Sequence, residues 1–265
     1  MVSQLDFDME LAELWDAASG KLRDRDSYLD SLEGLLRSNG ITEENMLLDV
    51  AGGFGFPAID LSNRGYQVLY LDGSPGMLEK AMRNADLEGA PAYIFSFQSI
   101  GYSVVPWQQL GDTVGSDSFD ALLCTGNSLP YAVSWGRADP DLSESKNQIL
   151  MALGQFYRVL NEGGMLFVDK QPEVQNCDVE EVGEVKLNGE RLYVTCSFNN
   201  DKDRRIRNWT LSTRNLDTKE VVDYPSQGYL LLEDELLPLL KETGFREVTK
   251  HILDGDIYEG FVAVK

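Results

Sequence analysis

The fold is decided by the stretch Leu47–Gly55, which reads LLDVAGGFG. A short apolar run leads there into a glycine turn, and a second apolar run, about one strand–helix unit later, ends in the carboxylate of Asp72. This order is typical of a nucleotide-cofactor site at the carboxyl ends of parallel strands. Gly53 and Gly55 have no Cβ, so backbone N–H groups could approach the cofactor there. Asp72 would accept hydrogen bonds from two ribose hydroxyls.

The spacing of the glycines narrows the choice of cofactor. Dinucleotide-binding turns read G-x-G-x-x-G and place a pyrophosphate at a helix N-terminus. Here the turn reads D-x-A-x-G-x-G, with Asp49 two residues before Ala51. A carboxylate ahead of the turn would repel a pyrophosphate but suits a ligand with an ammonium group. The pattern therefore favours S-adenosylmethionine; the alternative is an ordinary tight turn followed by a surface Asp72.

Composition limits the class of protein. The chain has 265 residues, of which 43% are hydrophobic and 25% charged, as expected for one enlarged globular domain or two small ones. We expect a soluble, cytoplasmic protein, because the sequence contains neither a membrane-length apolar run nor a signal peptide. Its three cysteines are too few and too scattered for a disulfide framework, and we expect no metal site.

The net charge is −21, from 44 acidic and 23 basic residues. Such a surface repels nucleic-acid phosphates and anionic lipids, so we expect a small-molecule substrate and neither a nucleic-acid nor a membrane partner. The acidic excess fits a salt-rich cytoplasm and an ordinary acidic protein equally well.

Hydrophobic periodicity predicts alternating strands and helices up to Pro172, and antiparallel strands beyond it. The fold class is therefore α/β, with a Rossmann-like seven-stranded, mostly parallel sheet, a C-terminal antiparallel hairpin and a small antiparallel accessory sheet. We predict a cofactor-binding core over 1–172, an accessory substrate-cover insertion over 173–228, and a C-terminal helix and hairpin over 229–265. The predicted strands are 46–51, 67–71, 92–97, 119–124, 165–168, 246–253 and 258–264, with the accessory sheet over about 183–228 and a stop between helix and strand at Asn161–Gly164.

Further motifs carry a resemblance to a known family. Phe119-Asp120-Ala121 and Gly126-Asn127-Ser128 bracket the fourth predicted strand, and Asp72-Gly73-Ser74 follows the second. Together with the glycine turn, these segments resemble class I S-adenosylmethionine-dependent methyltransferases, and within them the glycine and glycine/sarcosine N-methyltransferases. Upstream matches are Trp15, Gly20, Arg23, Arg25 and Tyr28.

The resemblance implies roles around the cofactor. Ala51 and Gly53 would contact its methionine part, and Arg25 would pair with its carboxylate, unless Arg25 forms a solvated pair with Asp24 or Asp26. The full set of implied cofactor contacts is Arg25, Asp49, Ala51, Gly52, Gly53, Gly55, Asp72, Gly73, Met77, Gln98, Ser99, Thr125 and Asn127.

Asn127 and Tyr131 are the predicted catalytic residues, and Asn127, Gln171 and Tyr193 the predicted substrate-binding residues. The amide of Asn127 could accept from the substrate amine, or Asn127 could be part of a simple turn. Aromatic residues could wall a pocket that favours a sulfonium, with core packing as the alternative for each of them. They are Tyr131, Trp135, Tyr193, Phe198 and Trp209.

One departure from the family concerns the methyl acceptor. Glycine-type enzymes carry Asp-x-Arg-Asn after the fifth strand, and this arginine grips the carboxylate of the substrate. Here the segment reads Asp169-Lys170-Gln171-Pro172, and glutamine cannot form a bidentate charged pair. Lys170 could substitute only by turning inward, although adjacent strand residues face opposite ways. We therefore expect an acceptor other than glycine, either a different amine or a hydroxyl group.

Three alternatives stay open from the sequence. The first is N-methylation of a small amine, which needs no strong base; His251, the single histidine, is expected to be structural. The second is O- or C-methylation of a small metabolite. The third is a non-catalytic cofactor-binding protein on the same fold. A homo-oligomer is compatible with each of them.

Overall fold

The computed structural model describes residues 4–89, 106–132, 141–173 and 176–265, with side chains from Glu10 onward. Its main sheet has six described strands in the order β2-β1-β3-β4-β10-β9. The first four of these run parallel, and β10 is antiparallel to both β4 and β9. The strands are β1 (Met46–Asp49), β2 (Gln67–Tyr70), β3 (Phe119–Cys124), β4 (Leu160–Lys170), β9 (Arg246–His251) and β10 (Glu259–Val264).

Helices cover both faces of this sheet, which is why its parallel strands are almost continuously apolar. Neighbouring residues alternate between the two faces: Leu47 packs in one core cluster and Leu48 in the other. Helices α2, α3 and α4 pack on the first face, and α5, α6 and α7 on the second. The helices are α1 (Gln4–Leu22), α2 (Arg25–Ser38), α3 (Ala58–Asn63), α4 (Pro75–Glu88), α5 (Leu110–Val114), α6 (Ser145–Val159) and α7 (Glu233–Glu242).

Four strands that follow β4 and precede α7 along the chain form a separate antiparallel sheet. One of its faces is apolar and packs against α1, where Leu14 meets Val194 and Leu211 in a third core cluster. Helix α1 thereby joins the accessory sheet to the cofactor-binding part of the molecule, since it also contacts α4. The strands are β5 (Cys177–Leu187), β6 (Glu190–Asp201), β7 (Ile206–Asn215) and β8 (Val221–Tyr229).

The mixed sheet, its closing antiparallel hairpin and the accessory antiparallel sheet are confirmed. The predicted strand at 92–97 lies outside the described residues, so the count of seven strands stays a prediction, as do the three domain boundaries.

Helix α6 does end before Asn161, but the predicted start of the next strand at Met165 is wrong, because β4 already begins at Leu160 and includes Asn161–Gly164. Leu160 pairs with Phe119 across an irregularity in the register, and the amide of Asn161 donates to the Asp120 carboxylate at 2.8 Å. Position 164 in this strand favours glycine, because the Cβ of any other residue would lie only 2.8 Å from the Asn161 carbonyl oxygen. Within the part of the chain that is described, no helix combines the length and the apolar character needed to cross a membrane.

Candidate active site

A cavity of about 460 Å³ lies where β1, β2 and β3 end. Its wall is formed by the segments that leave these strands: Ala51–Gly53 after β1, Asp72–Ser74 after β2, and Thr125-Gly126 after β3. The carboxyl ends of neighbouring parallel strands meet at one edge of a sheet, which brings these sequence-distant turns together. We call this space the first cavity.

Asp72 organises the turn on which it lies. The Gly53 N–H donates to one of its carboxylate oxygens at 2.8 Å, and the Ser74 N–H donates to the other at 2.7 Å. Burial raises the pKa of Asp72 to about 6, and the backbone hydrogen bonds oppose that rise. A carboxylate has about four acceptor positions, so Asp72 can still accept from a bound ligand in addition to these backbone N–H groups. The pair of oxygens therefore suits a vicinal diol.

Gly52 is required by the packing behind the turn. A Cβ at this position would lie 2.1 Å from Cε2 of Tyr70. The Tyr70 hydroxyl in turn donates to the Gly53 carbonyl at 2.6 Å, so the ring fixes the turn from behind. Gly55 lines neither of the cavities described here, and its missing Cβ makes room for Ile59 of α3, whose Cδ1 would lie 2.3 Å from that Cβ.

We expect Gly52→Ala to lower the free energy of unfolding by about 1–3 kcal/mol, the usual cost of overpacking. Cofactor affinity should fall as well, because a displaced Tyr70 ring no longer holds the Gly53 carbonyl. Thermal melting and calorimetric titration measure both effects. Gly154→Ala is the matched control: nothing lies within 4 Å of a Cβ at this helical position, so stability should rise slightly. Equal behaviour of the two variants would contradict this interpretation.

Asp49 is fully buried directly behind the cavity wall. One of its oxygens accepts from the Ala51 N–H at 3.2 Å, and the other has no partner among the described residues. Burial raises the pKa of Asp49 to about 8; the Ala51 hydrogen bond opposes the rise, and the nearby Asp72 and Asp169 carboxylates add to it. A cation in the first cavity would favour the ionised form of Asp49, so the predicted pairing with an ammonium group is chemically consistent.

We expect Asp49→Asn to change how stability depends on pH. A carboxyl group whose pKa is raised by folding binds its proton more tightly in the folded state, so its contribution to stability is lost as the pH rises from about 4 to about 8. The asparagine does not titrate, so without cofactor its melting temperature should gain on that of the wild type between pH 5 and pH 8. A melting difference that stays constant over this range would contradict a buried, neutral Asp49.

Two arginines near the first cavity differ in their surroundings. Arg25, the predicted partner of the cofactor carboxylate, lines only a separate surface pocket and pairs with Asp16 at 2.9 Å rather than with Asp24 or Asp26. Asp24 caps α2, and this cap separates Arg25, inside the helix, from Arg23 before it.

Arg23, a residue of the family resemblance to which the sequence assigned no role, lines the first cavity. Its guanidinium pairs with Asp256 at 2.7 Å and stacks on Tyr28 at 4.7 Å, while Nε is buried without a partner among the described residues. The spacing Arg23-x-Arg25 offered a signal for this difference. Asp24, the cap of α2, lies between the two arginines and gives them different surroundings, so that only Arg23 lines the first cavity.

The indole of Trp107 also lines the first cavity and was not anticipated. Its Nε1–H donates to the Val50 carbonyl at 2.7 Å, and its ring meets Phe156 edge-on at 5.5 Å. The ring is thereby fixed as an aromatic wall, a surface on which a planar base could stack. Gln98 and Ser99, the residues predicted to contact adenine, lie outside the described residues, as does Trp135.

A second cavity of about 490 Å³ adjoins the first one and reaches the accessory sheet. The two cavities share the lining residues Trp15, Leu22, Gly126, Tyr131, Ile257 and Tyr258. The second cavity is further lined by Asn127, Gln171, Pro172, Cys177, Val179, Glu180, Cys196, Phe198, Arg207 and Trp209.

Asn127 is held at the junction by Asp169, a buried carboxylate on β4. Asp169 accepts from the Gly126 N–H at 2.8 Å and from the Asn127 N–H at 2.6 Å. Burial raises the pKa of Asp169 to about 7, nearby Asp256 adds to the rise, and Arg23 opposes it. The side-chain oxygen of Asn127 accepts from the Gln171 N–H at 2.9 Å, so Asn127 connects the ends of β3 and β4 in addition to lining the second cavity.

Tyr131 connects the core to the accessory sheet. Its hydroxyl accepts from Nε1–H of Trp209 at 2.7 Å, and its ring lies over Gly228, where a Cβ would be 2.6 Å away. Burial raises the pKa of Tyr131, so the phenol stays protonated near neutral pH and is a poor general base.

Two other side chains considered from the sequence lie away from both cavities. Tyr193 is adjacent to Val194 on β6 and therefore lies on the opposite face of the accessory sheet. The centre of its ring lies 5.8 Å from the guanidinium carbon of Arg214, and the residue lines neither cavity. Lys170 is buried, and its ammonium group lies 3.1 Å from Glu259. It does not turn inward, in agreement with strand alternation.

Comparisons with known proteins agree with this site. Residues 48–168 match the methyltransferase domain family. Glycine N-methyltransferase from Mus musculus is 31% identical over 61% of this chain and 52% of its own length. Glycine/sarcosine N-methyltransferase from Aphanothece halophytica is 26% identical over 81% of this chain and 70% of its own length. The S-adenosylmethionine-bound structure of CalS10, an amino pentose methyltransferase from Micromonospora echinaspora, has a TM-score of 0.64 at 17% identity, covering 95% of this chain and 96% of that one.

The chain therefore has the domain and the fold of an S-adenosylmethionine-dependent methyltransferase. The predicted resemblance to methyltransferases, and among them to the glycine and glycine/sarcosine N-methyltransferases, is confirmed. The chain spans about half the length of the mouse relative, 52% of it.

Proposed function

We propose that this protein transfers a methyl group from S-adenosylmethionine to the nitrogen of a small-molecule amine. The observation that carries the proposal is the meeting of two cavities at Gly126 and Tyr131. The first is built by the glycine turn and Asp72, and the second lies under the accessory sheet. Two cavities with a shared wall are what a reaction between a cofactor and a separate acceptor needs.

The residues of the first cavity fit the cofactor. Asp72 would hold the ribose, Trp107 and Met77 would frame the adenine, and the Arg23 guanidinium would bind the carboxylate. The ammonium group would favour the ionised form of Asp49, which lies buried behind the cavity wall and would then supply a negative charge. The cofactor supplies an activated methyl group on a sulfonium, so the protein mainly has to align the acceptor and exclude water.

The second cavity favours an amine over a hydroxyl acceptor. A neutral amine attacks without a strong base, whereas a hydroxyl group needs one close by. Both tyrosines shared by the cavities, Tyr131 and Tyr258, have pKa values raised by burial, and His251 bonds to Thr249 on β9, outside either cavity. Asn127 and the Gly126 carbonyl would position the amine as acceptors of its hydrogens.

The test is an acceptor screen with methyl-labelled S-adenosylmethionine, in which mass spectrometry locates the new methyl group. We expect transfer to the nitrogen of an amine, and weak transfer to glycine, because Gln171 cannot grip its carboxylate as an arginine would. A methyl group found on oxygen or carbon would favour the O- or C-methyltransferase alternative. Saturable cofactor binding without turnover on any acceptor would favour a non-catalytic protein.

A further inference from the structure

The second cavity contains a buried cation that the proposed reaction does not yet use. Arg207 lies on β7 in the inward row with Trp209 and Leu211, at the end of this row nearest the start of the strand. Its side chain lines the second cavity, and the residue is only 7% exposed. Burying the charged side chain of an arginine among apolar residues costs free energy unless an opposite charge and hydrogen-bond acceptors compensate the charge.

The surroundings of Arg207 do not compensate this charge. Nη1 donates to the Asn200 amide oxygen at 3.1 Å, and the guanidinium carbon lies 4.5 Å from the centre of the Phe198 ring. Both partners are neutral. No carboxylate oxygen of the described residues lies within 4.0 Å of Arg207; the exposed Glu180 lines the same cavity without forming an ion pair with it. A buried, stacked guanidinium with donors to spare is a ready-made receptor for an anion.

We propose that Arg207 binds a carboxylate group of the methyl acceptor, an inference that rests on the proposed function. The planar guanidinium offers two parallel N–H donors to a carboxylate, and stacking on Phe198 fixes its plane. Gln171 lines the same cavity on the side of β4. The proposed anion-binding arginine therefore lies on β7 of the accessory sheet, whereas glycine-type enzymes carry theirs after the fifth strand.

The walls of the second cavity define the remainder of the acceptor. Its volume of about 490 Å³ lies in the range that holds a drug-sized ligand, roughly 300–1,000 Å³, and exceeds the need of a two-carbon amino acid. Trp15, Phe198 and Trp209 contribute aromatic surface to the same cavity as Arg207, and Trp15 also lines the first cavity. The acceptor is therefore an amine with an aromatic or apolar body and a carboxylate group.

Matched acceptor pairs test this inference, each pair differing only in carboxylate against carboxamide. Suitable pairs are glycine and glycinamide, phenylalanine and phenylalaninamide, and anthranilate and anthranilamide, each assayed with labelled S-adenosylmethionine. We expect transfer to a carboxylate with an aromatic body, and far weaker transfer to its amide. Arg207→Gln should raise KM for the carboxylate so that kcat/KM falls at least about 30-fold, as for a lost charged pair, while leaving the Kd of the cofactor unchanged.

Two further variants provide controls. Arg207→Lys keeps the positive charge but lacks the two parallel N–H donors of the guanidinium. Its kcat/KM for the carboxylate acceptor should therefore lie between those of the wild type and Arg207→Gln. Arg214→Gln removes an arginine from the exposed face of the same strand and should leave KM unchanged. If Arg207→Gln does not fold, as judged by thermal melting, the ratio of carboxylate to carboxamide turnover in the wild type decides the question.

Amides methylated as well as their carboxylates, or an unchanged KM in Arg207→Gln, would overturn the role of Arg207 alone. Failure of the proposed function has a different signature. The wild type would then bind no cofactor or methylate no amine in either half of any pair, and the inference about Arg207 would fall with it.

Discussion

Asp72→Ala is expected to weaken the binding of S-adenosylmethionine by at least about 100-fold. The carboxylate would accept two ribose hydroxyls, and each hydrogen bond to a charged acceptor contributes about 1.5–3 kcal/mol. The substitution also frees the Gly53 and Ser74 N–H groups that Asp72 now accepts at 2.8 and 2.7 Å, so the turn itself should loosen. Calorimetric titration gives the affinity directly.

Two controls separate binding from folding in this experiment. Asp72→Asn keeps the size and one acceptor oxygen, and should retain part of the affinity. Glu79→Gln neutralises an exposed carboxylate on the helix that follows, where the only described ion pair is with Arg83 at 3.7 Å, and should bind like the wild type. An Asp72→Ala variant that binds the cofactor as tightly as Glu79→Gln does would place the ribose elsewhere.

Asp169→Ala is expected to lower the free energy of unfolding by about 2–6 kcal/mol. It leaves the N–H groups of Gly126 and Asn127 without their acceptor, and each unsatisfied buried donor costs about 1–3 kcal/mol. Asn127 sits at a φ of +56°, an unfavourable conformation for which its hydrogen bonds compensate. Methyl transfer should fall as well, since Gly126 lines both cavities and Asn127 lines the second one. Urea unfolding monitored by circular dichroism measures the stability.

Asp112→Ala serves as the control for Asp169→Ala. Asp112 is an exposed surface carboxylate paired with Arg158 at 2.8 Å, and such substitutions usually change stability by no more than about 0.5 kcal/mol. If the two variants unfold at similar urea concentrations, the Asp169 hydrogen bonds do not hold the junction.

The cofactor half of the site could be predicted because its information is local in sequence. The glycine turn and the segment Asp72-Gly73-Ser74 each consist of residues a few positions apart. In the structure Ser74 caps α4, accepting from the Met77 N–H at 3.3 Å. Strand alternation likewise predicted that Lys170 would face away from the site.

The acceptor half depends on packing between distant segments, which periodicity cannot supply. Tyr193 and Arg207 lie on adjacent strands of the accessory sheet, and only the register decides which of them faces the cavity. The alternation of Arg207 with Trp209 and Leu211 was a usable signal, but an arginine at the end of an apolar row is easily taken for a solvated residue. In the same way, the choice between Arg23 and Arg25 depends on a helix cap that lies between them.

Calorimetric titration of the wild-type protein with S-adenosylmethionine tests most directly whether the first cavity is the cofactor site. We expect saturable binding of one cofactor per chain with a micromolar Kd, and no measurable binding by Asp72→Ala at the same concentrations. Absence of saturable binding by the folded wild type, or equal binding by both proteins, would contradict the assignment of the first cavity as the cofactor site.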